Sequence, residues 1–489
     1  MKTFRVFLIV TAVLAAGAAP GVPHYVALTG TNNSPYLTWP DAATNIQFAV
    51  DVATNGETVW VTNGTYTLTN QITITNGIIV QSWNGKANTF INGNYPNTTN
   101  RCFYLSNTLA VVDGFTITNG SCTNGSYGNG GGGGVFIAGG TVRNCSIISN
   151  MAVGTDKKDG GAGVRLWSSP NCILSNCFVA FNSCAGGGGG GITIRNGRVV
   201  NCVVVSNYTC LTSGYGYGGG IYITDGSAGM VINCTSEYNR ANLGGGIYVV
   251  NSSSGAVISN CVIRKNYCSG YAGGVNLASG LLIDSVISEN TGEGIQKNVT
   301  MDAMSVINCK IVGNTKGGIR GCNDGYARNC LIANNYTTAD GAGINIGGTN
   351  FTVQNCTIVS NSSTTKGGGV YINTAGGVSI NNSIIYSNKA PIGLNWYTNT
   401  SGVTFTNCCT TPTNDLSGSG NIMDYPAFVN PVSDYHLTAG SPCVNTGLNE
   451  TWMTDAVDLD GNRRIDRFGR RVDMGAYEFS PSGAMFTFH

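Results

Sequence analysis

The stretch CAGGGGGGITIRNG, residues 184–197, sets six glycines directly ahead of a short alternating apolar run. A phosphate-binding loop would follow its glycines with a Lys-Ser/Thr phrase or a helix, whereas here a strand pattern follows. A hinge would stand alone. This phrase instead recurs, as GGGGGVFI at 130–137, GGGIYI at 218–223, GGGIYVV at 244–250, AGGVNL at 272–277, GAGINI at 341–346 and GGGVYI at 367–372. Each copy reads as a glycine corner followed by a strand of period two.

A second phrase alternates with the first. It reads NCSIISN from Asn144, NCFVAFN from Asn176, NCVVVSN from Asn201, NCTSEYN from Asn233 and NCVIRKN from Asn260. It continues as DSVISEN from Asp284, NCKIVGN from Asn308, NCLIANN from Asn329, NCTIVSN from Asn355 and NSIIYSN from Asn382. DGFTITN from Asp113 is an early variant and NCCTTPT from Asn407 a decayed last copy. The starts fall about 27 residues apart. Strands this short cannot bury a face alone, but stacked coil on coil they share one interior. The period therefore predicts an all-β parallel β-helix, a solenoid of about 12 or more coils. At about 4.8 Å per coil, twelve make a rod of roughly 55 Å. Leucine-rich repeats fit less well, because no Leu-based consensus is present.

Alternation assigns faces. Within Asn-Cys-x-Ile-x-x-Asn, Cys and Ile point inward and the closing Asn sits at a turn, where stacked amides bond backbone and neighbouring coils. This predicts two structural ladders. One comprises Cys145, Cys177, Cys202, Cys234, Cys261, Cys309, Cys330 and Cys356, with Ser285 and Ser383 substituting in the same column. The other comprises Asn150, Asn182, Asn207, Asn239, Asn266, Asn290, Asn314, Asn335, Asn361 and Asn388. In-register parallel side chains rarely reach the disulfide torsion, so a mainly reduced cysteine column is expected. Cys184, Cys210 and Cys268 fall near turns, where local pairing stays open. Zinc is disfavoured, since the sequence has no Cys-x-x-Cys pair and no His cluster. Glu237 with Arg264 and Lys265 with Glu289 occupy matching positions in successive coils and are expected to pair.

Charged residues are 10% of the chain, against roughly 25% in typical soluble domains. A net charge of +1 gives no basis for electrostatic capture of nucleic acid or acidic membranes. Lys2 and Arg5 precede an apolar run from Val6 to Ala16, and Ala16-Gly17-Ala18 offers a cleavage site, so residues 1–18 read as an export signal. That run is too short to span a membrane, and no later stretch of about 20 apolar residues follows. The expected setting is extracellular or at a cell surface, with outer-membrane association open, as a monomer.

The pairing of Asn-Cys-x-Ile-x-x-Asn with GGG-Ile-Tyr resembles the right-handed, single-stranded parallel β-helix families. It is similar to polymorphic outer-membrane proteins, whose repeats join a GGA-Ile-like phrase to a Phe-x-x-Asn-like phrase. The segment NIQFAVDVATNGETVWVTNGTY, 45–66, resembles the entry to pectate-lyase-like β-helices; Ile46, Ala49, Val50 and Ala53 share one helical face suited to capping the core. The tail resembles the choice-of-anchor Q module of exported bacterial proteins through Asp458-Leu459-Asp460-Gly461, Arg464 and the run Val472-Asp473-Met474-Gly475-Ala476-Tyr477-Glu478. The organisation implied is a signal peptide at 1–18, an N-terminal cap at 19–58, the β-helix at 59–410 and a small C-terminal cap module at 411–489. Read as a calcium loop, DLDGNRRID would put Ala456 first and Arg467 last among its ligands, so Asp–Arg pairing is the better reading.

Polysaccharide lyases and glycosidases occur on such folds, but function has to be argued from residues. His24, His436 and His489 lie in no Gly-His-Gly phrase. The outward positions after the glycines carry no carboxylate pair and no calcium-binding acid cluster, and Asp159 and Asp340, each directly before a glycine, are explained by turn formation. Catalytic residues, and whether the chain is an enzyme at all, stay open; no metal and no cofactor is implied. That outward column suits glycan binding instead, with aromatic faces for sugar rings, amides for hydroxyls and Arg for uronate carboxylates. The candidates are Arg165, Trp167, Arg195, Tyr222, Tyr248, Asn276, Arg320, Asn345 and Tyr371. The expected partner is an extracellular polysaccharide or cell-surface glycan, in an adhesin-like or glycan-binding role. The alternative is a lyase or hydrolase acting on an acidic polysaccharide.

Overall fold

Each turn of the chain runs through three short strands, as in Thr141–Arg143, Ser146–Ile148 and Val164–Leu166, before Ile173–Ser175 opens the next turn. These come from a computed structural model, which describes residues 21–123, 130–153, 160–211, 216–224, 228–250, 255–297, 303–374, 376–465 and 471–480. Every coil pairs in parallel with its neighbours, so Ile147 faces Ile117 on one side and Val179 on the other. The strands stack into sheets of 15, 14 and 13 strands that enclose one continuous apolar core, a parallel β-helix. A fourth sheet of six very short strands, from Ser121–Cys122 to Tyr267–Tyr271, lines part of one corner. The proposed export signal lies outside the described residues. Among those described, no helix is long and apolar enough to cross a membrane.

The Asn-Cys phrase makes two corners at once. Its first residue adopts left-handed backbone, with φ of 57° at Asn144 and 54° at Asn176. Asn tolerates that region because its short amide bonds locally. The sixth residue does the same, with φ of 56° at Ser149 and 55° at Lys265. Between these corners lie four residues, the last three of them a strand (Ser146–Ile148), and alternation turns Cys145 and Ile147 both into the core.

The closing asparagines, from Asn150 to Asn388, are all buried and hydrogen-bonded to one another. Asn266 shows the pattern. Its Oδ1 accepts from the backbone N–H of Asn239 at 2.9 Å and from Asn239 Nδ2 at 3.1 Å. Its own Nδ2 donates to Ser236 O at 2.9 Å and to Asn290 Oδ1 at 3.1 Å. Beside each amide runs a glycine. A Cβ on Gly246 would lie 2.9 Å from Asn266 Nδ2 and 2.7 Å from Gly274 O, and one on Gly191 would lie 3.0 Å from Asn207 Nδ2. The two repeated phrases are thus complementary: the amide of one occupies the space that a side chain on the other would need. Both columns end at Asn395, which sits in the glycine position and accepts from Asn388 N at 3.2 Å.

All eight cysteines of the inward column are buried thiols. The N–H of Cys177 donates to Cys202 Sγ at 3.5 Å, and Cys202 Sγ lies 3.3 Å from Val200 O. Ser285 plays the same part, accepting from Cys261 N at 3.0 Å and donating to Ile283 O at 2.8 Å. Burial drives the thiols of Cys330 and Cys356 well above their ordinary range, so they stay protonated and inert at neutral pH. Cys202→Ser is expected to cost less than about 1 kcal/mol, while Cys202→Val, by stranding the Cys177 N–H, costs roughly 1–3 kcal/mol. Urea unfolding of the two variants checks the order; valine ahead of serine would show the column to be packing alone.

Opposite charges also stack between coils. Arg264 Nε meets Glu237 at 2.8 Å, Lys265 Nζ meets Glu289 at 3.7 Å, and Arg143 Nε meets Asp113 at 2.7 Å. At the N-terminal end, helix Ile46–Val52 is capped by the Asn45 side chain and buries Ile46, Ala49 and Val50, with Ala53 just beyond it also buried. Before that helix, strand Pro23–Val26 already pairs with Thr58–Val61, adding a rung that lies inside the 19–58 segment.

The C-terminal residues do two things. Leu416 packs against the end of the core, and Ile422 N bonds Cys408 O at 2.9 Å beside the last coil. Residues 424–465 and 471–479 lie along the flank of the last four coils. Phe428, Tyr435, Leu437, Cys443, Met474 and Tyr477 cover the outward side chains of Leu331, Val359 and Ile384. The left-handed asparagines dock this segment: Asn329 Nδ2 donates to Val457 O, Asn382 Nδ2 to Leu448 O and Asn407 Nδ2 to Thr446 O. The Asp458 carboxylate accepts from the N–H groups of Asp460, Asn462 and Glu478 and from Asn462 Nδ2, a structural rather than ligand-binding use. Arg464 is fully buried, bonding Asn329 Oδ1 and, at 2.7 Å, Glu478.

Candidate functional site

Seven of the nine candidates, Arg165, Tyr222, Tyr248, Asn276, Arg320, Asn345 and Tyr371, share the outward column of the third sheet, with Trp167 and Arg195 one residue past the ends of their strands, and the glycine turns lie over the column. In several copies the glycine four residues before the outward side chain has positive φ and folds back across it. A Cβ on Gly244 (φ +65°) would lie 2.8 Å from Tyr248 Cβ, and one on Gly367 (φ +62°) 2.8 Å from Tyr371 Cβ. Arg165 and Asn276 consequently have no exposed surface; Trp167, Tyr222, Tyr248, Asn345 and Tyr371 are buried, and Arg195 and Arg320 are half-buried. Period-two alternation places a side chain outside the core, but it does not reveal a second layer of chain above it.

Three groups form along the column. Arg165 lies between Phe136 and Trp167, its guanidinium 3.8 Å from the Trp167 ring, and Arg195 stacks on the same ring at 4.8 Å. Arg165 also donates to Gly130 O beneath the turn. Tyr222 and Tyr248 meet Tyr217, a residue of the covering turn, with ring centroids 4.8–5.8 Å apart. Tyr371 stacks on Tyr397 at 5.8 Å with an interplanar angle of 4°. Asn276, Arg320 and Asn345 join none of these groups.

The third group stands where the column ends. Trp396–Thr398 is the last strand of the third sheet. A cleft of about 390 Å³ opens there, lined by Leu394, Trp396, Tyr397, Thr398, Thr411 and Pro412. Leu394 is 57% exposed, so this mouth faces solvent. Lys366 Nζ lies 4.9 Å from the Tyr397 ring centre, adding positive charge beside the aromatic face. Trp396 is held by its indole N–H, which donates to Pro412 O at 3.0 Å. Asp340, assigned from the sequence to a turn, hydrogen-bonds Tyr371; burial first and then this carboxylate raise the Tyr371 pKa, so the phenol stays protonated. Sequence reasoning missed Tyr397 and Lys366. The glycine phrase of that coil has decayed to GLNWY, 393–397, although Tyr397 keeps the Tyr371 register. No group of three or more His, Cys, Asp or Glu side chains suited to a metal ion is present among the described residues.

Fold and column together define a right-handed parallel β-helix. Residues 157–296 match a family model described as right handed beta helix region. A search of curated proteins finds no match. Among solved structures the chain is similar to pectate lyase Pel9A, at 14% identity over 95% of this chain and 98% of that one, with a TM-score of 0.34. It is also similar to the A-module of the Azotobacter vinelandii mannuronan C-5 epimerase AlgE4 (12% identity, 74% and 94% covered, TM-score 0.35). A third is the Dettilon tailspike protein (12% identity, 76% and 68% covered, TM-score 0.41).

Proposed function

We propose that the protein is an exported, cell-surface or secreted β-helix that binds acidic glycan at the open end of its third sheet. The observation that carries this reading is the stacked Tyr371–Tyr397 pair ending in a solvent-facing cleft with Lys366 beside it. Flat aromatic faces suit the C–H faces of sugar rings, and an ammonium nearby suits a uronate carboxylate. Arg165, stacked on Trp167, holds its turn through Gly130 O, and Tyr222 and Tyr248 hold theirs through Tyr217. Tyr371 backs the ligand-facing Tyr397. The tail, resembling a choice-of-anchor Q module, suits attachment at a cell surface.

Cleavage of the same polysaccharide is the second reading, favoured by the Asp340–Tyr371 contact. A phenol kept protonated serves poorly as the base a lyase needs, so binding is preferred. Affinity electrophoresis in pectin and alginate gels tests the proposal. Tyr397→Ala is expected to weaken retardation about tenfold, a loss of about 1.4 kcal/mol. Lys366→Gln should weaken it less and flatten its salt dependence. Unretarded wild-type protein, or variants that bind as wild type, would overturn the proposal; new absorbance at 235 nm would establish cleavage instead.

A further inference from the structure

Two thiols lie together across the seam between the last coil and the C-terminal segment. In Asn407-Cys408-Cys409, alternation sends Cys408 into the solenoid core and Cys409 out into the apolar layer beneath the tail. Cys443 belongs to that same layer. Both Cys409 and Cys443 are fully buried within this one apolar cluster, and the neighbouring Cys443 thiol, with burial, pushes the Cys409 thiol well above its ordinary range. Cys443 is fixed there: its N–H donates to Ser441 Oγ at 3.2 Å and its carbonyl accepts from Met474 N at 3.0 Å. Cys409 is fixed from the other side, its N–H donating to Ser383 O at 2.9 Å.

The column cysteines differ in a way that matters for pairing. Each repeats at one register position, with a backbone N–H between successive sulfurs, as between Cys177 and Cys202. Cys409 and Cys443 enter one apolar layer from two different segments, the last coil and the tail, with no shared ladder register between them, an arrangement from which a disulfide can form.

We propose that Cys409 and Cys443 form a disulfide that clamps the C-terminal segment onto the last coil. The oxidant is a low-molecular-weight disulfide such as oxidised glutathione. One protein thiolate attacks it, forming a mixed disulfide and releasing one glutathione thiolate. The second protein thiolate then displaces the other glutathione. The two protein thiols lose two protons and two electrons, and one oxidised glutathione becomes two reduced molecules. Because both sulfurs are buried in the docked state, exchange takes place while the segment is undocked. The clamp is independent of the glycan reading.

The test is refolding of the full chain in a glutathione redox buffer, alkylation in denaturant and peptide mass mapping. Two of the 18 cysteines are expected to escape alkylation, in a linked peptide pair holding Cys409 and Cys443. Cys409→Ser and Cys443→Ser should each abolish that pair and speed proteolysis of the tail under oxidising conditions only. Alkylation of all 18 cysteines, or a protected pair elsewhere, would overturn the clamp, and mapping of the wild-type chain decides this even where a variant does not fold.

Discussion

Asn266→Ala is expected to lower stability by about 3–5 kcal/mol, although Asn266 is remote from any ligand surface. Its loss strands the buried N–H of Asn239 and the carbonyl of Ser236, and it leaves Asn239 Nδ2 short of an acceptor. Each buried polar group left unpaired costs roughly 1–3 kcal/mol, so two or three together reach that range. Gly246→Ala should be of similar size, because its Cβ would lie 2.7 Å from a backbone carbonyl and 2.7 Å from Ile263 Cγ2, neither free to move. The double variant distinguishes a shared cause from two separate ones. Alanine at position 246 clashes partly with the Asn266 amide, so removing that amide relieves it. The two losses should therefore fall short of additivity by at least about 1 kcal/mol. Urea denaturation followed by circular dichroism measures all three, and strict additivity would show the glycine column and the amide ladder to be independent.

Arg464→Met is expected to release the C-terminal segment, and to do so more at pH 7.5 than at pH 5. Arg464 is fully buried against Glu478, with Asp473 and Asp458 close by. Breaking a buried pair from one side typically costs 3–5 kcal/mol, because the remaining charge stays desolvated. Burial raises the Glu478 pKa to about 7, outweighing the attraction of Arg464, and burial likewise raises that of Asp473. The sign follows directly. A carboxyl whose folded pKa lies above its unfolded one holds its proton better when folded, so stability falls as pH rises from about 4.5 to about 7. Taken at face value that shift corresponds to about 3 kcal/mol. Burial lowers the His436 pKa, but Asp434 and Asp460 outweigh it and raise it overall, so its stabilising charge is also lost with rising pH. Hydrogen exchange of residues 472–478, corrected for intrinsic rates, should show weaker protection at pH 7.5 than at pH 5 in the wild type. Stronger protection at pH 7.5 would mean that Glu478 ionises inside its pair without penalty.

Much of the architecture is legible in local pattern because a solenoid is built from neighbours about 27 residues apart. Asn-Cys-x-Ile-x-x-Asn carries its own register: alternation turns Cys145 and Ile147 inward, and the closing Asn150 has one place to go. The ion pairs of Glu237 with Arg264 and Lys265 with Glu289 follow from the same counting. The candidate surface was less legible. Tyr222, Tyr248 and Tyr371 are outward by period, yet each lies beneath a glycine turn whose path over the strand depends on φ near +60° and on the coil above. The tail hides itself for a similar reason. Outward Leu331, Val359 and Ile384 look like ordinary strand residues until a segment about a hundred residues later covers them.

The sequence by itself determined the coil, its inward column and the stacking of its closing asparagines, since these rest on alternation and on repetition from turn to turn. Tertiary structure alone decided which outward residues meet solvent and where the tail packs. It also decided that Tyr397, Lys366 and Trp396 share a cleft, and that Cys409 meets Cys443. The physical reason is that exposure and cross-layer contact depend on how distant segments fill space over the solenoid, and no local period encodes that.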